Sequence, residues 1–259
     1  MNVLQYNELD IFNIKDIIQT QLEESGYAYI HGIPINLGDY AQIHQEFLAF
    51  CQQIGRPILH NFDQDSFVWD IKPVANSTSK YITHSEVNAS ASLHSDSSFS
   101  NEPEDYFALF SIKKSTCGGG ASQIMSAKQF IANIRAMPGG DKTEHTLRSK
   151  PYPFKVPDIF KKEKENDFEY NEGYILQDDY IRYRSDCILE CIKHESNILD
   201  KDQKDALEKV EEMLSKSMGV DEFTLEPGEC LFIQNKKVLH GRTAFKDLSR
   251  HLLRVRLKR

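Results

Sequence analysis

The closing apolar run, His251-Leu-Leu-Arg-Val-Arg-Leu257, constrains the fold more than any other segment. As a strand it sends Leu253, Val255 and Leu257 to one face and Leu252, Arg254 and Arg256 to the other. If both faces lie inside a double sheet, the guanidiniums need anionic partners. An ordinary edge of a sheet would instead turn the cations outward, and the strand alone leaves both arrangements open.

The rest of the chain supplies sheet and flanking helices. Ile14, Ile17, Ile18 and Leu22 recur at helical spacing over 13–24, and Ser25-Gly26 closes that helix. Tyr27-Ala-Tyr-Ile-His31 reads as a strand, and Ile43, Phe47, Leu48 and Cys51 mark a second helix over about 39–54. Short strands separated by Ser, Asn and Gly are expected from about 66 to 130, with Tyr106–Ile112 the clearest. The polar middle is expected to be a lid or insertion at about 140–200, with PYPFKVPD as an ordered loop. A helix over about 202–218 carries Ala206, Val210, Met213 and Leu214 on one face, followed by the strand Cys230–Gln234. Nothing marks a seam, so residues 1–259 read as a single domain.

Composition excludes several function classes. With a formal net charge of -8, a phosphate-binding surface would need a local basic patch, so nucleic acid is not an expected partner. No apolar run reaches the length needed to span a bilayer, and MNVLQYNELDIFNIKD lacks the basic end and apolar core of a signal peptide. Five dispersed cysteines without CxxC spacing indicate reduced thiols and a cytoplasmic protein; Cys187 and Cys191 read as small buried side chains on one helix face.

The chemistry concentrates in Leu93-His94-Ser95-Asp96. Residues two apart on a strand share a face, so His94 and Asp96 can bind one metal ion through imidazole and carboxylate. Taken alone, HxD is also an ordinary surface hydrogen-bonding pair. A third ligand, His240 in Leu239-His240-Gly241-Arg242, would complete a two-histidine, one-carboxylate facial triad, which leaves coordination positions open. Gly118-Gly-Gly120 reads as a tight turn, since no Lys-Ser/Thr follows to make a phosphate loop. His84 and His251 read as structural or exposed, and Trp69 as core.

The ordered set LHSD, GGGAS, PGECLFIQN, HGRTAF and RHLLR resembles the taurine dioxygenase and clavaminate synthase-like family of 2-oxoglutarate oxygenases, as do the opening GYAYIHGIP and IGRPI. The resemblance implies a mainly β fold with flanking helices around a double-stranded β-helix, or jelly roll. It implies Fe(II), 2-oxoglutarate and O2 as cofactors, with His94, Asp96 and His240 as iron ligands. Arg254 would hold the distal carboxylate of 2-oxoglutarate, with Arg250 as a second contact. Ser122 matches a cosubstrate-touching hydroxyl, or Gln123 if the extra glycine shifts the register.

The implied reaction couples oxidative decarboxylation of 2-oxoglutarate to hydroxylation of an unactivated C–H, and the carboxylate at Asp96 disfavours halogenation. The expected substrate is a small molecule, a free amino acid or related acid, with desaturation or sulfonate oxidation as alternatives. Candidate substrate contacts are Asn88, Ser90, Phe99, Arg182, Arg184 and Arg242, although ion pairing with Asp186 or Glu190 would equally account for Arg182 and Arg184. Two rival classes are a cupin-like metal-binding protein, whose sites usually gather ligands as HxH, and a catalytically inert relative.

Overall fold

The structure, a computed structural model, describes residues 3–9, 13–59, 66–73, 88–116, 118–161 and 168–259. The expectations for His84 and Cys117 fall outside these residues. In chain order, the first half comprises β1 (Val3–Gln5), α1 (Ile14–Ser25), β2 (Tyr27–His31), α2 (Tyr40–Gln52), β3 (Arg56–Ile58), β4 (Val68–Ile71), β5 (Ala91–His94), β6 (Tyr106–Lys113) and β7 (Ser122–Ser126). Next come α3 (Ala127–Arg135), α4 (Gly140–Ser149), β8 (Tyr152–Lys155), β9 (Tyr170–Gly173), β10 (Leu176–Gln177), β11 (Tyr180–Ile181) and α5 (Ser185–His194). The chain ends with α6 (Lys201–Ser215), β12 (Asp221–Phe223), β13 (Cys230–Gln234), β14 (Val238–Arg242) and β15 (His251–Lys258).

Two sheets form the core of a jelly roll. The larger has seven strands in the order β1-β2-β13-β6-β15-β3, with β4 also paired to β15; the smaller runs β12-β7-β14-β5. Ile233, Leu231, Phe107 and Leu252 from the first sheet meet Ile124 and Val238 from the second in an inter-sheet core. Trp69 is partly buried against that core.

Each sheet hides its other face under helices. Ile14, Ile18, Leu22, Ile43 and Phe47 of α1 and α2 pack on Ala28, Ala108, Phe110 and Phe232, and Leu253, Val255 and Leu257 lie in this same cluster. Both faces of β15 are therefore internal. Its apolar side contributes roughly 1.5–3 kcal/mol for each fully buried aliphatic residue, while Arg254 and Arg256 pair with Asp96 and Glu104. Local chemistry fixes the helix starts: the Asp39 carboxylate accepts from the Ala41 and Gln42 amides, and Asp200 forms a capping box with Gln203.

The described residues of the stretch at 140–200 form a layer with regular structure. PYPFKVPD, expected as a loop, contains β8, which pairs antiparallel with β9. Pro153 fits because this is a two-stranded hairpin in which a missing N–H faces no third strand. Tyr152, Phe154, Ile175, Tyr183 and Ile188 join α3, α4 and α6 in covering Leu93, Met125 and Leu239 on the outer face of the small sheet. Cys51, Cys187, Cys191 and Cys230 are buried free thiols.

Candidate active site

Strand pairing places the histidines. His240 on β14 lies directly opposite His94 on β5 in antiparallel register. Because Leu93 and Leu239 point to the helical layer, alternation turns His94 and His240 toward the space between the sheets. Their ring centroids are 4.4 Å apart. Asp96, in the turn after β5, brings Oδ1 to 3.6 Å from His94 Nε2 and Oδ2 to 3.5 Å from His240 Nε2. The ligand atoms of the three residues lie within 4.8 Å of one another, the one such group among the described residues.

The donor chemistry suits a divalent first-row metal. His94 Nδ1–H donates to the Ser92 carbonyl at 2.7 Å, which orients its ring with the Nε2 lone pair toward Asp96 and His240. Burial, with His94 and Arg184 nearby, holds the His240 imidazole well below its ordinary pKa and hence neutral. The two imidazoles and one carboxylate match the donor set of a facial triad. The side chains of His94, His240 and Asp96 are 13%, 13% and 8% exposed, so the centre is shielded yet reachable.

A cavity of about 90 Å³ adjoins the histidines. His94, His240, Ser122, Arg242, Arg250 and Arg254 line it together with Phe107 and several aliphatic side chains, and no acidic residue lines it among the described residues. Arg254 lies over the Phe107 ring at 4.7 Å, hydrogen-bonds Asp96 Oδ2, and comes within 3.5 Å of Glu104. Burial, reinforced by Arg256, pulls its pKa down to about 9. Arg250 is 5% exposed, forms no ion pair with any described residue, and is lowered to about 10 by burial and by Arg242. Gly120 makes room for it: at φ +78°, an added Cβ would lie 3.0 Å from Arg250 Cδ.

The other expected residues fall in different surroundings. Ser122 is on the cavity wall, whereas Gln123 points away to Glu222 at 2.9 Å. Arg242 donates to the Ala89 carbonyl at 2.7 Å and stacks on Phe245, whose amide bonds the Asn88 carbonyl. Asn88 and Ser90 are exposed. Phe99 is core, stacked on Phe160 at 5.0 Å. Arg182 donates to the Ser98 and Glu172 carbonyls over the Phe154 ring and lines a second cavity that also touches Asp96. Arg184 pairs with Asp186 at 3.0 Å. His251 donates through Nε2 to Asp70 at 2.5 Å, in the structural role expected of it.

Around the site, Arg256 finds the anionic partner its strand position calls for, while Glu104 and Asn235 meet it and Asp96 through contacts that no local pattern shows. Glu104, fully buried, receives both nitrogens of an Arg256 fork at 2.8 Å, and Asn235 binds the Asp96 main chain. Their contacts span more than a hundred positions. Only the strand-end placement of Asn235, between Gln234 and the His240 strand, hints at a role.

Solved structures share this architecture. An asparagine oxygenase bound to Fe(II), 2S,3S-3-hydroxyasparagine and succinate superposes with a TM-score of 0.75 at 15% identity, covering 95% of this chain and 79% of that one. The non-heme iron oxygenase OrfP matches with TM-scores of 0.67 with Fe and alpha-ketoglutaric acid (16% identity) and 0.64 with Fe and L-Arg (18% identity), covering 95% of this chain and 80% of each OrfP chain. No curated protein sequence is recognisably similar. The model of the taurine catabolism dioxygenase TauD, TfdA family matches residues 3–256, nearly the whole sequence. With its jelly-roll sheets and converging His94, Asp96 and His240, this chain belongs to the TauD/TfdA dioxygenase family.

Proposed function

We propose that this family member uses Fe(II), 2-oxoglutarate and O2 to hydroxylate an unactivated C–H of a free amino acid or closely related small acid. One observation carries the reading. A two-histidine, one-carboxylate cluster opens beside a cavity whose charged lining, among the described residues, is cationic. Bound Fe(II) supplies O2 activation coupled to the conversion of 2-oxoglutarate to succinate and carbon dioxide.

The chain's part is to hold and orient. His94 and His240 offer imidazole nitrogens, that of His240 held neutral by burial, and Asp96 offers the carboxylate. Arg250 and Ser122 are assigned to the distal carboxylate of 2-oxoglutarate, which reverses the order expected between the two arginines. Arg254 is already neutralised by Asp96 and Glu104, whereas Arg250 has no acidic counterpart among the described residues. An anion entering the cavity therefore gains most from Arg250. Phe107, Leu109, Ile71 and Leu252 dry the site, which strengthens those charge interactions.

An amino acid substrate is supported by the relatives, an asparagine oxygenase and OrfP bound to L-Arg. Among the expected substrate contacts, Arg242 fits best, since it shares the cavity wall; Asn88 and Ser90 adjoin it through Ala89 and Phe245. Phe99, Arg182 and Arg184 are committed to core packing, main-chain carbonyls and Asp186 respectively. The four buried free thiols support a reducing, cytoplasmic setting. No helix of the described residues is long and apolar enough to cross a membrane.

A panel of free amino acids tests the reading. Succinate should form with the wild-type protein in step with a product heavier by one oxygen atom for one panel member. Uncoupled succinate formation with every member would remove the amino acid assignment. No succinate under any condition would remove the oxygenase assignment.

A further inference from the structure

Asn235 is 1% exposed and opens the turn from β13, in the large sheet, into β14, the strand that carries His240. Its carboxamide holds one residue by both main-chain polar groups. Oδ1 accepts from the Asp96 N–H at 2.8 Å, and Nδ2 donates to the Asp96 carbonyl at 2.9 Å. The same Nδ2 reaches the Glu104 carbonyl at 3.2 Å, while the Asn235 N–H donates to the Asp105 carbonyl at 2.9 Å. Asn235 thus ties the launch of β14 to two segments more than a hundred positions earlier, the turn after β5 and the lead into β6.

That turn is not held by local preference. Ser97, next to Asp96, has φ +51°, a left-handed conformation that costs a non-glycine residue about 1 kcal/mol or more. Tertiary contacts must offset the strain. Ser97 Oγ accepts from Arg256 at 2.9 Å, and Arg256 is forked onto Glu104. Asn235 closes this loop of contacts by gripping Asp96 and Glu104 together, and it adds the connection to the His240 strand.

We propose that Asn235 is a positioning residue for the metal centre: by clamping the Asp96 main chain to the root of β14, it sets the Asp96 carboxylate between the His94 and His240 imidazoles. The amide is directed at the main chain and acts only through Asp96. Alanine there would leave a buried N–H and C=O without their partners and free the peptide that aims the carboxylate. Aspartate would keep the acceptor for the Asp96 amide but turn a negative oxygen on two carbonyls. Loss of an outer-shell contact of this kind typically weakens metal binding about 10–100-fold.

The role rests on the Fe(II) reading, and the experiment separates the two. Metal-stripped wild type, Asn235→Ala, Asn235→Asp and a destabilised control, Phe47→Leu in the remote α2 core, are titrated anaerobically with Fe(II) in the presence of 2-oxoglutarate. Affinity and the visible charge-transfer band are read, with circular dichroism and Tm for folding. The Asn235 variants should fold, bind Fe(II) about 10–100-fold more weakly and shift the band, while Phe47→Leu keeps wild-type affinity despite its lower Tm. If Asn235→Ala does not fold, Asn235→Ser takes its place. Folded Asn235 variants with wild-type affinity and an unshifted band would overturn the role, as would an equal loss in Phe47→Leu. A wild type that binds no Fe(II) would remove the oxygenase reading, and this role with it.

Discussion

Replacing Arg250 by Met should separate stability from cosubstrate affinity. The guanidinium is buried, and its pKa falls from 12.5 to about 10, mostly through burial and further through Arg242. At about 1.4 kcal/mol per tenfold, that fall amounts to about 3 kcal/mol against the charged form in the free protein. Methionine keeps most of the stem and removes the charge. It forfeits the stacking on Phe245, at 5.4 Å, which contributes about 0.5–1 kcal/mol. The net gain of about 2 kcal/mol should raise the Tm of the metal-free protein by about 4 °C for a domain of this size. A charge-assisted hydrogen bond to the cosubstrate is lost at the same time, about 1.5–3 kcal/mol, so 2-oxoglutarate binding should weaken about 10–150-fold. Scanning calorimetry without metal and an anaerobic 2-oxoglutarate titration with Fe(II) read the two effects. A Tm that drops by several degrees with 2-oxoglutarate affinity intact would make Arg250 a structural cation and refute the assignment.

Three further outcomes follow from the same geometry. Glu104→Gln leaves Arg256 and Arg254 buried with one fewer carboxylate, so calorimetry should show a loss of about 3–5 kcal/mol, or roughly 6–20 °C in Tm. Gly241→Ala places a Cβ 2.7 Å from the Ala91 carbonyl oxygen, beside the His94–His240 pair. Spreading β14 from β5 should cost about 1–3 kcal/mol by denaturant titration and weaken Fe(II) binding about tenfold or more. Burial, with His94 and Arg184, depresses the His240 pKa, so below 6.5 the unfolded chain takes up a proton that the folded metal-free chain refuses. Its contribution is complete above pH 6.5 and declines as the pH falls below that value, a slope that denaturant titrations on wild type and His240→Gln should show only for wild type.

How far the sequence could be read depended on where each interaction's information lies. Helices α1, α2 and α6 have their spacing and caps in contiguous residues, and each begins within two positions of expectation. The His94, Asp96 and His240 cluster was legible because His94 and Asp96 stand two apart in one motif, the first ending β5 and the second in the turn that follows, and His240 sits in a motif of its own. Helix α3 was hidden because it starts directly from β7, with Ser126 serving as both last strand residue and N-cap. Strand β8 was masked by Pro153 and the flanking Pro151 and Pro157, and pairing with β9 together with packing of Tyr152 and Phe154 into the helical layer makes it regular. The ion pairs of Arg254 with Asp96 and Glu104 were not accessible either, because both carboxylates lie about 150 positions away in sequence, and a register shift between His251 and Leu252 interrupts the alternation that would relate Arg250 to Arg254. The clamp by Asn235 consists of hydrogen bonds 131 and 139 positions apart in sequence, invisible to any local pattern.

His94, Asp96 and His240 should together bind a single Fe(II) ion and leave room for 2-oxoglutarate beside it. Anaerobic addition of Fe(II) and 2-oxoglutarate to metal-stripped protein tests it directly. The account predicts stoichiometric Fe(II) binding with a weak visible charge-transfer band, absent in His94→Ala and in His240→Ala. An identical band in His240→Ala, or no Fe(II) uptake by the wild type, would contradict it.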